Sequence, residues 1–241
     1  DEGLTMTLEA AEMKRIVAET AVDAYVKDGM NVGLGTGSTA YYAIKRIGQL
    51  VNENGYDLTC VATSVQSEDL ARECGITVVD IDDVKQLDVT IDGADEVDPK
   101  LNLIKGLGGA LLREKIVAAA TVQEIIVADE SKLVEKLGTK APLPVEVLQF
   151  GNGHTSVGLR RQRCEPVMRM KDGKPFVTDG GNYIYDCRFP DGIDNPFFIE
   201  SRIDVIPGVV ENGLFLNTAF EVLICDSDGN VRRMSEERAD E

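Results

Sequence analysis

The sequence predicts an α/β protein, a doubly wound and mainly parallel sheet that carries a smaller inserted α+β domain. Three observations lead there. Short apolar β-type runs alternate with amphipathic helical runs up to about residue 132, the rhythm of a parallel sheet. A glycine-rich turn, Gly35-Thr36-Gly37-Ser38-Thr39-Ala40, joins the first strand-like run directly to a helical one. Beyond residue 132 the alternation gives way to closely spaced strand-like runs, and strands of the first kind resume near residue 213.

In order, residues 8–27 read as an amphipathic helix, with Met13, Ile16, Val17, Ala21 and Ala24 at helical spacing, Lys14 on the polar side and Asp28-Gly29 as the stop. A strand over 30–34, a helix over 40–51 and a strand over 58–62 follow, and then a hydroxyl-rich loop, Thr63 to Ser67, before a helix over 68–74. Strands are expected over 76–81, 87–91 and 124–128, with a helix over 110–120. Ala141-Pro142-Leu143-Pro144 breaks the pattern. Strands over 145–150, 165–170, 175–177 and 182–187 come next, with 171–174 as a hairpin turn and a helix over 197–205. Runs 213–217 and 221–225 are expected to return to the main sheet. The division is therefore a Rossmann-like domain of residues 1–139 plus 213–241, and a small α+β domain of residues 140–212.

Composition removes several functions. With 42 acidic against 25 basic residues the net charge is −17, which repels nucleic acid and anionic membrane surfaces. A small anionic substrate remains compatible, because lysines and backbone amides dominate at close range. Part of the acidity lies at the two ends, which read as solvated tails. Cys60, Cys74, Cys164, Cys187 and Cys225 form no CxxC pair, so a reducing, cytoplasmic setting is expected instead of a disulfide framework or zinc site. No apolar run reaches the ~18 residues of a membrane span, and the first residues lack the pattern of a secretory signal. His154, the single histidine, sits in what reads as a Gly-Asn-Gly-His surface loop, which leaves histidine catalysis and metal ligation without support.

The chemistry concentrates in residues 87–115. The apolar strand ends in Asp92-Gly93-Ala94-Asp95-Glu96, at the carboxyl edge where open α/β sheets hold ligands. Lys105-Gly106-Leu107-Gly108-Gly109 follows, and then the helix with Glu114. Helical periodicity puts Leu112, Ile116, Ala119 and Ala120 on the inner side and turns Glu114 away from the core. Each residue alone has an ordinary structural explanation as a turn former, dipole partner or solvated charge. Together, carboxylates, a lysine and glycine amides suit removal of a proton from carbon beside a carbonyl. The Gly35 to Ala40 turn nominally fits a dinucleotide fingerprint, yet the second strand ends in Thr63-Ser64 and not in an acid, and no Gly-Lys-Ser/Thr of a P-loop follows. Thr36, Gly37, Ser38 and Thr39 at a helix start suit a phosphomonoester, or are simply a capped tight turn.

The run Gly33 to Thr39, Asp92 to Glu96, Lys105 to Lys115, Ser131-Lys132, Pro142 to Val147, Thr178 to Asn182 and Ile206 to Val210 resemble, in order and spacing, the ribose-5-phosphate isomerase family of type A. The resemblance implies an aldose-ketose isomerase that interconverts ribose 5-phosphate and ribulose 5-phosphate in the pentose phosphate pathway, with no metal and no organic cofactor, as a homodimer or homotetramer. It implies Glu114 as proton acceptor, and Asp92, Asp95 and Lys105 as catalytic and substrate-contacting groups. Thr36, Gly37, Ser38, Thr39, Gly93, Ala94, Gly106, Leu107, Gly108, Lys132 and Lys14 complete the substrate-binding set that it implies. Leu107 and Gly180 depart from the family pattern, which has glycine and asparagine there. The rival readings are an amino-sugar phosphate deaminase, which calls for a histidine in the site, and a sugar-phosphate sensor, which calls for a basic DNA-binding module that this chain lacks.

Overall fold

The computed structural model describes residues 8–235, so the acidic ends lie outside it apart from Ser235. The chain forms two compact units. The first takes in the chain up to Gly93, Ile116–Lys132 and the chain from Thr218 onward; the second takes in Ala94–Lys115 and Leu133–Asn217.

The first unit is built on a six-stranded sheet whose order is Val231–Met234, Glu221–Cys225, Thr121–Asp129, Leu87–Gly93, Asn31–Leu34, Thr59–Ala62. The pairings are parallel except at the edge strand Val231–Met234, an antiparallel strand that the sequence reading had missed. Leu87–Gly93 is central and buried along nearly its whole length, as expected for a strand covered on both faces. Its Leu87, Val89 and Ile91 are apolar, and it continues two residues past the expected end, so that Asp92 pairs with Ile126 inside the sheet. The helices Ala10–Tyr25 and Ala40–Asn54 pack Val17, Ala21, Val22, Ile44 and Ile47 into one core with Val32, Val89, Ile125, Val127 and Leu223. The run expected as a strand over 76–81 is not one: it touches its neighbour only at the isolated Cys60–Val78 bridge, and Ile81–Asp83 turns into a 3₁₀ helix because Asp80 caps Asp82. Alternating apolar residues satisfied the strand pattern, but the acidic run Asp80-Ile81-Asp82-Asp83 ends pairing early.

The second unit contains an antiparallel sheet ordered Val209–Asn212, Leu143–Val147, Tyr183–Arg188, Glu165–Met168. The hairpin expected at 171–174 forms between Met170–Lys171 and Lys174–Pro175; Asp172 (φ 52°) and Gly173 (φ 75°) are both left-handed, which is what a two-residue hairpin turn of the right twist requires. Two expectations fail. The Gly-Asn-Gly-His run at 151–154, expected as a surface loop, instead opens the helix Asn152–Arg160, on which His154 is exposed. Leu214–Phe215 does not join the main sheet but pairs with Leu103–Ile104, itself paired with Glu96–Val97. Only Glu221–Cys225 returns as expected.

Glu96 closes this unit. Fully buried, its carboxylate accepts the amides of Gly138 (2.5 Å), Lys140 (2.6 Å) and Ala141 (2.7 Å), and so pins a segment more than forty residues away. Among the described residues no helix is long and apolar enough to cross a membrane. Glu96→Ala is expected to leave three amides without their charged acceptor and to cost about 3 kcal/mol or more. Urea unfolding checks this: a midpoint within error of the parent's would remove Glu96 as the anchor.

Candidate active site

The first unit contains the glycine turn and Asp92. Gly35 has no side chain for a reason: a Cβ there would stand 2.2 Å from Asp92 Oδ1. The close approach lets the Thr36 amide donate to Asp92 Oδ1 at 3.0 Å, and the Gly93 amide donates to the same oxygen at 2.7 Å. Asp92 is thus a buried carboxylate fixed by two backbone donors at a strand end. Thr36 Oγ1 lies 2.7 Å from Thr63 Oγ1, 2.8 Å from Ser64 Oγ and 3.1 Å from Ser67 Oγ, and Ser67 donates to the Gly35 carbonyl. The second-strand loop therefore builds the wall behind the turn. Ser64 caps its own helix, Val65–Glu73. The turn at Ser38 and Thr39 behaves differently: neither hydroxyl has a partner among the described residues, and Thr39 makes no side-chain cap at the start of Ala40–Asn54. Neither hydroxyl is thus spent on capping that helix. Lys132 lies half-buried in the 3₁₀ turn Glu130–Lys132, and Lys14 half-buried on Ala10–Tyr25; no hydrogen bond or ion pair joins either to the other candidates among the described residues.

The second unit contains Asp95, the glycine loop, Lys105 and Glu114. Lys105 and Glu114 are both almost fully buried, 2% and 5% exposed, with Nζ 3.6 Å from Glu114 Oε1. This reverses the expected helix face. Leu111, Glu114, Val117 and Ala118 of Leu111–Ala119 point inward, while Ile116 is 49% exposed and Ala119 also faces out. Two apolar stripes compete on this short helix, and one of them is interrupted by an acid. Hydrophobicity alone selects the uninterrupted stripe; the neighbouring lysine makes the other one possible.

The loop after Lys105 is shaped by Gly106 (φ 107°) and Gly109 (φ 82°). Leu107 is not left-handed, its side chain points outward at 43% exposure, and its amide donates to Asp95 Oδ2 at 2.9 Å. The departure to leucine therefore leaves the loop path intact. The amides of Gly106 and Gly108 donate to no group among the described residues. Gly180, the other departure, borders Glu146, which Thr178 and Asn182 hydrogen-bond, so that turn is held without an asparagine side chain.

One residue here was not legible in the sequence. Arg169 donates to the carbonyls of Gly106 (3.0 Å) and Leu107 (3.1 Å), while its other nitrogens grip Asp186 at 2.9 and 2.5 Å. Nothing in its own stretch of sequence distinguishes it from a surface arginine, because the carbonyls it reaches lie 62 and 63 residues away.

The first unit, a doubly wound parallel sheet with an amide-held carboxylate at a strand end, and the second, with a buried lysine–glutamate pair next to a glycine loop, are each of the kind found in α/β enzymes. Comparison with known proteins gives the particular family. Residues 59–229 match the family model described as ribose 5-phosphate isomerase A (phosphoriboisomerase A). The ribose-5-phosphate isomerase A of Thermosynechococcus vestitus is 49% identical over 230 residues, which cover 92% of this chain and 96% of that one; that of Bacillus mycoides is 46% identical over 217 residues, covering 90% and 97%. The solved ribose 5-phosphate isomerase from Plasmodium falciparum superposes with a TM-score of 0.92 at 40% identity, over 95% of this chain and 100% of that one. A solved D-ribose-5-phosphate isomerase in complex with phospho-erythronic acid superposes at 0.91 with 39% identity, over the same shares. The chain belongs to the ribose 5-phosphate isomerase A family.

Arg169→Ala is expected to free the loop carbonyls and lower isomerase kcat/KM by about tenfold to a hundredfold, since small misplacements of catalytic groups cost that much. Arg169→Lys is expected to recover little of this, because an ammonium lacks the planar fork that reaches two carbonyls and a carboxylate. Steady-state kinetics on both variants checks it.

Proposed function

We propose that the chain interconverts D-ribose 5-phosphate and D-ribulose 5-phosphate through a cis-enediolate, with Glu114 as the base that carries the proton. The observation that supports this best is the buried Lys105–Glu114 pair beside the open amides of Gly106 and Gly108. The ammonium gives the buried carboxylate a charged partner. It is also a donor for an oxyanion in a water-poor setting, where such interactions are strongest.

In this reading the Ser38-Thr39 turn, with Gly37, Lys132 and Lys14, holds the phosphate and so leaves C1 and C2 to the carboxylates. Asp92, its orientation set by the Thr36 and Gly93 amides, opens the furanose ring and with Asp95 moves protons among the oxygens. Glu114 then takes the proton from C2, and the electron pair of that bond forms the C1–C2 double bond while charge builds on O1. Lys105 and the Gly106 and Gly108 amides stabilise that charge. The C2 hydroxyl gives up its proton as the C2 carbonyl forms, and Glu114 returns its proton to C1. One base on one face serves both carbons. Gly93, Ala94 and Leu107 line the path with backbone groups.

We also infer a cytoplasmic enzyme that works as a homodimer or homotetramer. The acidic composition and thiol-rich, unbridged cysteines support the first. The exposed Phe150, Phe198 and Val205 of the second unit support the second, as apolar surface that assembly would cover.

Glu114→Gln is expected to lower kcat by at least about 10²-fold, the lower end of what a positioned base contributes, in a protein that stays folded. A parental rate would dismiss Glu114. In heavy water the product is expected to acquire solvent deuterium at C1, and activity is expected to survive a chelator; complete retention of substrate hydrogen, or chelator inhibition, would point to hydride or metal chemistry instead.

A further inference from the structure

Lys105 is placed by a strand register that also places an aromatic ring. In the antiparallel pairing of Leu103–Ile104 with Leu214–Phe215, the Lys105 amide donates to the Gly213 carbonyl at 2.9 Å, and Leu103 pairs with Phe215. Side chains alternate between the faces of such a ladder, so Lys105 and Phe215 lie on the same face as diagonal neighbours, a spacing that long and aromatic side chains bridge. Gly213, directly across from Lys105, leaves that face open; a Cβ there would stand 2.3 Å from the Lys105 carbonyl oxygen. The Lys105 ammonium sits over the Phe215 ring, 5.4 Å from its centroid, and the ring is only 1% exposed. Both fall within the range in which a ring face attracts a cation.

A second cation touches the same ring. Lys115 Nζ is 5.0 Å from the Phe215 centroid and is itself tied to Glu211 Oε1 and to the Asn212 carbonyl, each at 2.7 Å. Its charge is taken up by Glu211, and its place is fixed by the strand that leads into Leu214–Phe215.

We propose that Phe215 is a positioning residue for the isomerisation: its ring face holds the Lys105 ammonium beside Glu114, and Lys115, anchored by Glu211 and Asn212, holds the ring. The physical advantage of a ring is its sign. A carboxylate in the same place would hold the ammonium equally well, but it would bury a second anion beside Glu114. A quadrupole attracts the cation and brings no net charge. The inference rests on the roles given above to Lys105 and Glu114.

The test replaces Phe215 in the chain with mono-, di- and trifluorophenylalanine, which weaken the ring's attraction for a cation stepwise at nearly constant size. Expected is a stepwise fall in kcat, about threefold to tenfold over the series, with KM within twofold of the parent and an unchanged melting temperature. A kcat that is flat across the series, or that falls only in step with the melting temperature, overturns the proposal. Glu114→Gln measured alongside keeps the two failures apart. A parental rate in that variant brings down the reading of the site, whereas an impaired Glu114→Gln with a flat fluorinated series brings down the ring's role alone.

Discussion

Removing an ammonium and a carboxylate from water is the constraint that the second unit is built to satisfy. Each ion loses several kcal/mol of effective hydration on burial, and their mutual attraction offsets this only when the geometry is good and further polar partners are supplied. The sequence around Lys105 and Glu114 supplies them. A ladder bond at Gly213, a ring under the ammonium and a helix turned to bring an acid inward all converge on that pair. A hydrophobic pair of the same volume would be easier to bury, so the stability they add does not account for the ions.

The same segment explains why an acid-rich stretch, 92–96, splits into different roles. Asp92 is oriented by the amides of Thr36 and Gly93 at the end of a parallel strand. Asp95 accepts the Leu107 amide and sets the glycine loop. Glu96 is spent wholly on backbone amides as a structural clamp. Three carboxylates within five residues of chain thus have three environments, and it is the hydrogen-bond partners, not the residue type, that distinguish them.

Much of this was legible in the sequence because the relevant signals are local. The parallel strands, the Gly35 turn, the hairpin at Asp172-Gly173 and the return of Glu221–Cys225 all follow from apolar alternation and turn chemistry. What escaped depends on partners distant in the chain. The orientation of Leu111–Ala119 turns on Lys105 offsetting a buried Glu114, and a periodicity argument sees only the apolar residues. The helix Asn152–Arg160 is short and polar, with Gly153 and Gly158 inside it, so nothing local marks it. Arg169 and Phe215 owe their importance to register and reach, which no spacing in the chain records.

Arg169 also sets a schedule. The ribosome delivers Gly106 first and the arginine that grips its carbonyl 63 residues later, a delay of about 3–13 s at ordinary rates of synthesis. Throughout that interval the nascent loop has its glycines but not its clamp. The earliest strands can collapse while the polypeptide is still emerging, yet the loop cannot be gripped before Arg169 is made, which makes its fixed geometry a late event in the life of each new molecule.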